Sequence, residues 1–199
     1  MSTQILFVNA CVRGQGVSRT LDLAHCLLEQ LKKTYPDAVV TEASLEKERI
    51  APLYAKDLEY RNQCFAAKRF DDLIYRYAHQ LSSCDYLVIA APFWDNSYPA
   101  VLKAWIEQVM AQGVTFGYTA DGTEFSLCKA QKFWYVCTAG GKVDRNYGYE
   151  HVESLMRDYF HVPEGQLVQA DCIDLAGYDS DGILCDAKDS LAAFDHEEK

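Results

Sequence analysis

Proline and basic residues are scarce in this chain, and long apolar runs are missing. Five prolines among 199 residues are too few for an extended or low-complexity architecture, so a globular chain is expected. Nineteen Lys and Arg stand against 29 Asp and Glu, a formal net charge of −10. A surface of that sign repels nucleic-acid phosphates and anionic lipid, which demotes both as partners. No apolar stretch approaches the ~20 residues that a membrane-spanning helix needs. The eight cysteines (Cys11, Cys26, Cys64, Cys84, Cys128, Cys137, Cys172 and Cys185) include no C-x-x-C pair and no zinc or iron–sulfur spacing. The opening Met1-Ser2-Thr3-Gln4 lacks the charged region and long apolar core of a signal peptide, so reduced thiols in a cytoplasmic protein are expected. No pair among the five histidines has metal-ligand spacing and no G-x-S-x-G elbow occurs, so no catalytic side chain and no metal ligand is assigned.

What is present is an alternation. Ile5-Leu6-Phe7-Val8 is a continuous apolar run, the signature of a strand buried on both faces. A glycine-containing loop leads to Ser18, a helix N-cap, and a helical stripe of Leu21, Ala24, Leu27, Leu28 and Leu31 that Pro36 stops. Residues 38–43 read as a second strand nearer an edge, because Thr41 and Glu42 interrupt it. Residues 44–68 read as a loop with a short helix, and 70–81 as a helix. Residues 86–91 form a third strand. Pro99 is expected in the first turn of a helix whose apolar face runs from Val101 to Met110. Residues 113–127 suggest a loop or small hairpin. A fourth strand (133–137), a helix (149–160), a fifth strand (166–173), a closing helix (183–194) and an acidic tail complete the chain. Five strands alternating with helices imply one α/β domain over residues 1–199, with a parallel sheet in the order 2-1-3-4-5 covered on both faces.

In such a sheet, ligands bind beyond the carboxyl ends of the strands where the strand order reverses. The loops after strands one, three and four are therefore the candidates. The first places Arg13 before a helix that opens Ser18-Arg19-Thr20. Unpaired first-turn amides, the helix dipole, two hydroxyls and two arginines make a phosphate cradle there; the alternative is a plainly capped helix after a flexible loop. The spacing fits neither a P-loop nor a dinucleotide fingerprint. Cys11 in the same loop reads as packing. The second candidate, Pro92-Phe93-Trp94-Asp95-Asn96, offers an aromatic wall and backbone amides for a flat heteroaromatic ring. The third, Thr138-Ala139-Gly140-Gly141, lets the backbone approach a ligand closely, although a glycine pair is also an ordinary turn. An aromatic content of 13% suits a flat ligand or a dimer interface.

Three blocks carry a resemblance: residues 91–105 (APFWDNSYPAVLKAW), residues 113–119 (GVTFGYT) and residues 138–141 (TAGG). In order and spacing the chain resembles the FMN-dependent NADH:quinone oxidoreductases and azoreductases of the flavodoxin-like superfamily, from about residue 4 to residue 193. The resemblance implies a flavodoxin-like three-layer fold, bound FMN, and NADH or NADPH as co-substrate. It implies small-molecule electron acceptors such as quinones, azo compounds or nitroaromatics, and a homodimer. It implies that Ser18, Arg19 and Thr20 serve the phosphate, beside Arg13 of the same loop, and that Phe93, Trp94, Asp95 and Asn96, following Pro92, wrap the isoalloxazine. Thr138, Ala139, Gly140 and Gly141 would line its pyrimidine side, and Phe116 and Tyr118 would shape the substrate pocket. A general NAD(P)H-dependent flavin or chromate reductase, or a flavodoxin-type electron carrier, are the alternatives. The chain departs from the pattern at Asp95, where azoreductases usually carry Asn, at Ala139, where many carry Arg, and at Asp171-Cys172, where Glu-Gly is common.

Overall fold

The computed structural model describes residues 2–192. In chain order the elements are β1 (Gln4–Asn9), α1 (Arg19–Thr34), β2 (Val39–Ser44), α2 (Ala55–Ala66), α3 (Arg76–Ser83), β3 (Tyr86–Ala90), α4 (Ala100–Val109), β4 (Phe116–Tyr118), β5 (Glu124–Ser126), β6 (Lys132–Thr138), α5 (Tyr147–Asp158), β7 (Glu164–Ala170) and α6 (Ser180–Ala192). Five strands pair in parallel in the order β2-β1-β3-β6-β7. With the separate β4–β5 hairpin set aside, this is the expected 2-1-3-4-5 order.

Apolar runs make the central strands because both faces of the sheet are covered. None of Ile5, Leu6, Phe7 and Val8 is more than 2% exposed. Successive residues point to opposite faces. Leu6, Val8, Leu87, Ile89, Phe133 and Tyr135 therefore join the core beneath α3, α4 and α5. Ile5, Phe7, Val88, Ala90, Trp134 and Val136 join the core beneath α1 and α6. Strand β2 lies at one edge and is mostly accessible, as Thr41 and Glu42 suggest.

Several boundaries differ from the sequence reading, each for a local reason. The helix expected over 70–81 begins later: Asp72 accepts from the Ile74 amide at 3.1 Å, a 3-10 turn spans Leu73–Tyr75, and α3 follows. Pro99 is the residue before α4, not within its first turn, because its ψ of 145° is extended. The fifth strand begins at Glu164 and ends at Ala170, since Cys172 adopts a left-handed φ of 62° that turns the chain. The helix expected from 149 starts at Tyr147, where Asn146 caps it. Helix α2 is 12 residues long and buries only Cys64. It is held by Arg61, which donates to the Glu107 and Met110 carbonyls at 3.1 and 3.0 Å and so caps the end of α4. The last two residues of the expected closing helix and the acidic tail lie outside the described residues.

Candidate functional site

The loops after β1, β3 and β6 meet with the loop after β7 around one cleft of about 490 Å³ at the carboxyl edge of the sheet. That volume lies within the usual range of small-molecule sites.

One end of the cleft is the start of α1. Ser18 is extended (φ −87°, ψ 109°), and its Oγ accepts from the Leu21 amide at 3.3 Å. The Ser18 carbonyl accepts from Asp22. The Arg19 and Thr20 amides have no acceptor among the described residues. They face outward with the positive end of the helix dipole. Thr20 is 1% exposed, and its hydroxyl lies 2.6 Å from that of Thr138, which ties the first loop to the end of β6. One hydroxyl hydrogen is spent in that bond and the other is left to donate. Arg13 and Arg19 also line the cleft. Burial pushes the Cys11 thiol up to about 11, opposed by a bond from Ser18, so it remains a thiol and not a nucleophilic thiolate.

The other end is the loop after β3. Trp94 and Ser97 exchange both backbone hydrogen bonds, at 3.2 and 2.7 Å. The two residues between them have left-handed φ angles, 52° at Asp95 and 61° at Asn96. This is a two-residue hairpin turn, which Asp tolerates as Asn does. The carboxylate at Asp95 is therefore compatible with the turn. The Asp95 and Asn96 amides donate to no acceptor among the described residues. Pro92, Phe93 and Trp94 line the cleft, and the Phe93 amide donates to Thr138 at 3.0 Å.

Behind this turn lies a packed support. A Cβ added at Gly148, in the first turn of α5, would lie 3.0 Å from both the Tyr135 hydroxyl and the Tyr98 ring and 3.1 Å from the Ser97 backbone. Tyr98 Oη is 2.6 Å from His151 Nδ1. Burial pushes the Tyr98 phenol up to about 12 and, with some help from Lys103, holds the His151 imidazolium below its ordinary range. Tyrosine therefore keeps its proton and donates, and the neutral imidazole accepts.

The floor comes from residues 139–141 and 171–174. The Ala139 amide donates to Ala170, and its carbonyl accepts from Ile173, as in a continuing strand pair. Ala139 is thus buried beneath the cleft. Gly140 lines it, and Gly141 lies just beyond, accepting from Cys172. Asp174, which the sequence reading passed over, also lines the cleft; its Oδ1 is 2.5 Å from the Arg19 guanidinium. Asp95 and Asn96 stand at the rim outside the lining. Phe116 and Tyr118 are elsewhere: they pack edge to face on each other in the β4–β5 hairpin, with Phe116 against Tyr159. Phe116 lines a separate hollow with Leu58, Arg61 and Met110. The structure therefore brings together Arg13, Ser18, Arg19, Thr20, Pro92, Phe93, Trp94, Thr138 and Gly140 in one lining, without Phe116 and Tyr118.

Comparison with known proteins agrees with this geometry. Residues 3–163 match the family model described as the flavodoxin-like fold. An FMN-dependent NADH:quinone oxidoreductase of Clostridium perfringens (strain SM101) is 32% identical over 181 residues, 88% of this chain and 89% of that protein. The crystal structure of azoreductase from Bacillus anthracis str. Sterne superposes with a TM-score of 0.81 at 22% identity, over 96% of this chain and 97% of that one. An FMN-dependent NADH-azoreductase from Bacillus anthracis str. Ames Ancestor, solved in complex with FMN, gives 0.80 at 16% identity over 96% of each chain. The chain belongs to the flavodoxin-like family, in the group of the FMN-dependent NADH:quinone oxidoreductases.

Proposed function

We propose that this protein is an FMN-dependent oxidoreductase that moves reducing equivalents from NADH or NADPH to quinones, azo compounds or nitroaromatics. One observation carries the reading. A single cleft offers unpaired helix amides and two arginines at one end and an aromatic wall beside a turn with unpaired amides at the other. Those donors suit a phosphate, and that wall suits a planar heteroaromatic. FMN joins the two chemistries in one molecule. The named relatives support the same assignment.

Arg13, Ser18, Arg19 and Thr20 hold the phosphate. Pro92, Phe93 and Trp94 wall the ring, and the Asp95, Asn96, Gly140 and Gly141 amides with Thr138 address its polar edge. Ala139 contributes shape. When bound, FMN accepts hydride from NADH or NADPH and passes two electrons to the acceptor. The residues here position and stabilise, and none acts as an essential acid or base. Trp94 at the aromatic wall is 40% exposed, so the ring face is reachable there, and reductant and acceptor occupy it in turn, a two-step exchange.

Two copies form the working unit in this reading. Phe116 and Tyr118 stand outside their own cleft, so they serve substrate only from a partner. Trp94 and Tyr118, 40% and 46% exposed, supply apolar surface for pairing. We place the protein in the cytoplasm: all eight cysteines are unpaired, and no helix among the described residues is long and apolar enough to cross a membrane.

An absorbance spectrum of the purified protein with added FMN tests the cofactor, and anaerobic mixing with NADH followed by a quinone tests the reaction. Retained flavin that bleaches within seconds and recovers with quinone is expected. A protein that takes up no FMN defeats the proposal, and flavin that neither NADH nor, in a parallel mix, NADPH can bleach reduces it to an electron carrier. Light scattering tests the dimer; a 22.5 kDa particle removes the roles given to Phe116 and Tyr118.

A further inference from the structure

Asp174 is an anion in a cleft built for one. Three charged side chains line that cleft: Arg13, Arg19 and Asp174. The backbone that carries it is fixed by its surroundings. After the left-handed turn at Cys172, the Ile173 amide donates to the Ala139 carbonyl at 3.2 Å and the Asp174 amide to the Gly140 carbonyl at 2.9 Å. Ser180 Oγ donates to the Ile173 carbonyl at 2.5 Å. Asp174 Oδ2 then lies where a Cβ on Gly140 would come within 2.7 Å, so the carboxylate rests against the bare face of that glycine. Its Oδ1 takes the Arg19 guanidinium at 2.5 Å, and the same Arg19 nitrogen reaches the Ile173 carbonyl at 3.4 Å.

We propose that Asp174 sets the affinity of the phosphate end, competing with the incoming phosphate for Arg19 and weakening the cleft's preference for phosphorylated over unphosphorylated flavin. The inference rests on the FMN reading above. A phosphate at the start of α1 must draw Arg19 from a carboxylate that stays nearby as a like charge. The pair is half exposed, with side-chain accessibilities of 42% and 65%, so solvent screens it and the effect is moderate. Asp174 also packs against Gly140, so its charge reaches the ring's polar edge, but only the phosphate competes with it for Arg19. The outcome is a preference for phosphorylated flavin held below what two arginines alone would give.

The test is flavin fluorescence titration of the native chain and of Asp174→Asn, with FMN and with riboflavin, which has the ring but no phosphate. Asp174→Asn keeps the shape and removes the charge. FMN is expected to bind about three- to tenfold more tightly to the variant at low ionic strength, a gain that shrinks as salt rises. Riboflavin affinity is expected to change much less than FMN affinity. Asp174→Glu, which retains the charge, should stay near the native FMN-to-riboflavin ratio, and Asp174→Ser should follow Asn, so the result does not depend on one variant folding. FMN affinity that is unchanged or weaker in both neutral variants overturns the proposal, because Asp174 would then orient Arg19 and not compete for it. Equal tightening of both flavins also overturns it. A native chain that binds riboflavin and FMN alike, with neutral variants that do the same, removes the inference and leaves the ring site standing. A native chain that binds neither removes the FMN reading itself.

Discussion

The helix end of the cleft and its aromatic end keep their shapes by different means. At the helix end, hydrogen bonds do the work: Ser18 caps α1, Thr20 meets Thr138, and Arg19 leans on Asp174. The loop leading in carries left-handed Gly14 and Gly16, with nothing close to either. At the aromatic end, packing does the work. The Trp94–Ser97 turn rests on Tyr98, Tyr135 and the first turn of α5, where a single added carbon has no room. An anion site needs oriented donors and tolerates space around them. A ring site needs a surface of fixed shape. Substitutions should therefore separate the ends: packing changes behind the turn cost stability and affect every flavin, whereas donor changes at α1 cost little stability and affect only phosphorylated ligands.

The largest effect is expected from Gly148→Val. Its side chain meets Tyr135, Tyr98 and the Ser97 backbone, and overpacking of that kind costs about 1–3 kcal/mol. A lower urea midpoint with weakened binding of both FMN and riboflavin is the expected result; native stability would mean that the turn is not braced there. Ser18→Ala removes the helix cap, for about 1 kcal/mol. It should weaken FMN in titration and spare riboflavin, and equal losses would erase the distinction between the ends. Tyr98→Phe deletes the bond to His151 at a cost of about 1 kcal/mol, measured by chemical denaturation. The smallest effect is in the pH dependence. The folded chain holds the His151 imidazolium below its ordinary range of about 6.5, so in that window the unfolded chain binds more protons. Lowering the pH through the unfolded value should then drain stability, down to the lower folded value. Denaturation curves of native protein and His151→Asn between pH 8 and pH 5 should show this slope in the native chain only; parallel slopes would assign it elsewhere.

The sheet was legible because the central strands are buried on both faces and so must be apolar throughout. Ile5 to Val8 and Phe133 to Cys137 have no other comfortable place. The helix end was legible too, since Ser18 followed by a leucine stripe is a local signal. What escaped depended on distant partners. Helix α2 has no apolar stripe because it is held by Arg61 on the carbonyls of α4 and not by a buried face. Cys172 and Ile173 look like the end of a strand, yet the left-handed turn at Cys172 brings Asp174 to Arg19 from 155 positions away. The Asp72 cap, by contrast, was a readable signal, and apolar spacing from Phe70 concealed it. The places of Phe116 and Tyr118 follow from a hairpin that folds back on Tyr159, which no local pattern announces.

The Arg61 clasp has a dynamic consequence. Cys64 is the lone buried residue of α2, and the helix is otherwise held by Arg61 on α4, Tyr60 on Asp72 and the Tyr75 hydroxyl on the Arg61 carbonyl. Such a segment can lift away while the sheet beneath stays intact, so its amides should exchange with deuterium by subglobal opening, well before those of β1 or β3. Opening would also take apart the hollow that Phe116 shares with Leu58 and Arg61, both of them residues of α2. A helix with one buried residue is thus a detachable wall of that concavity.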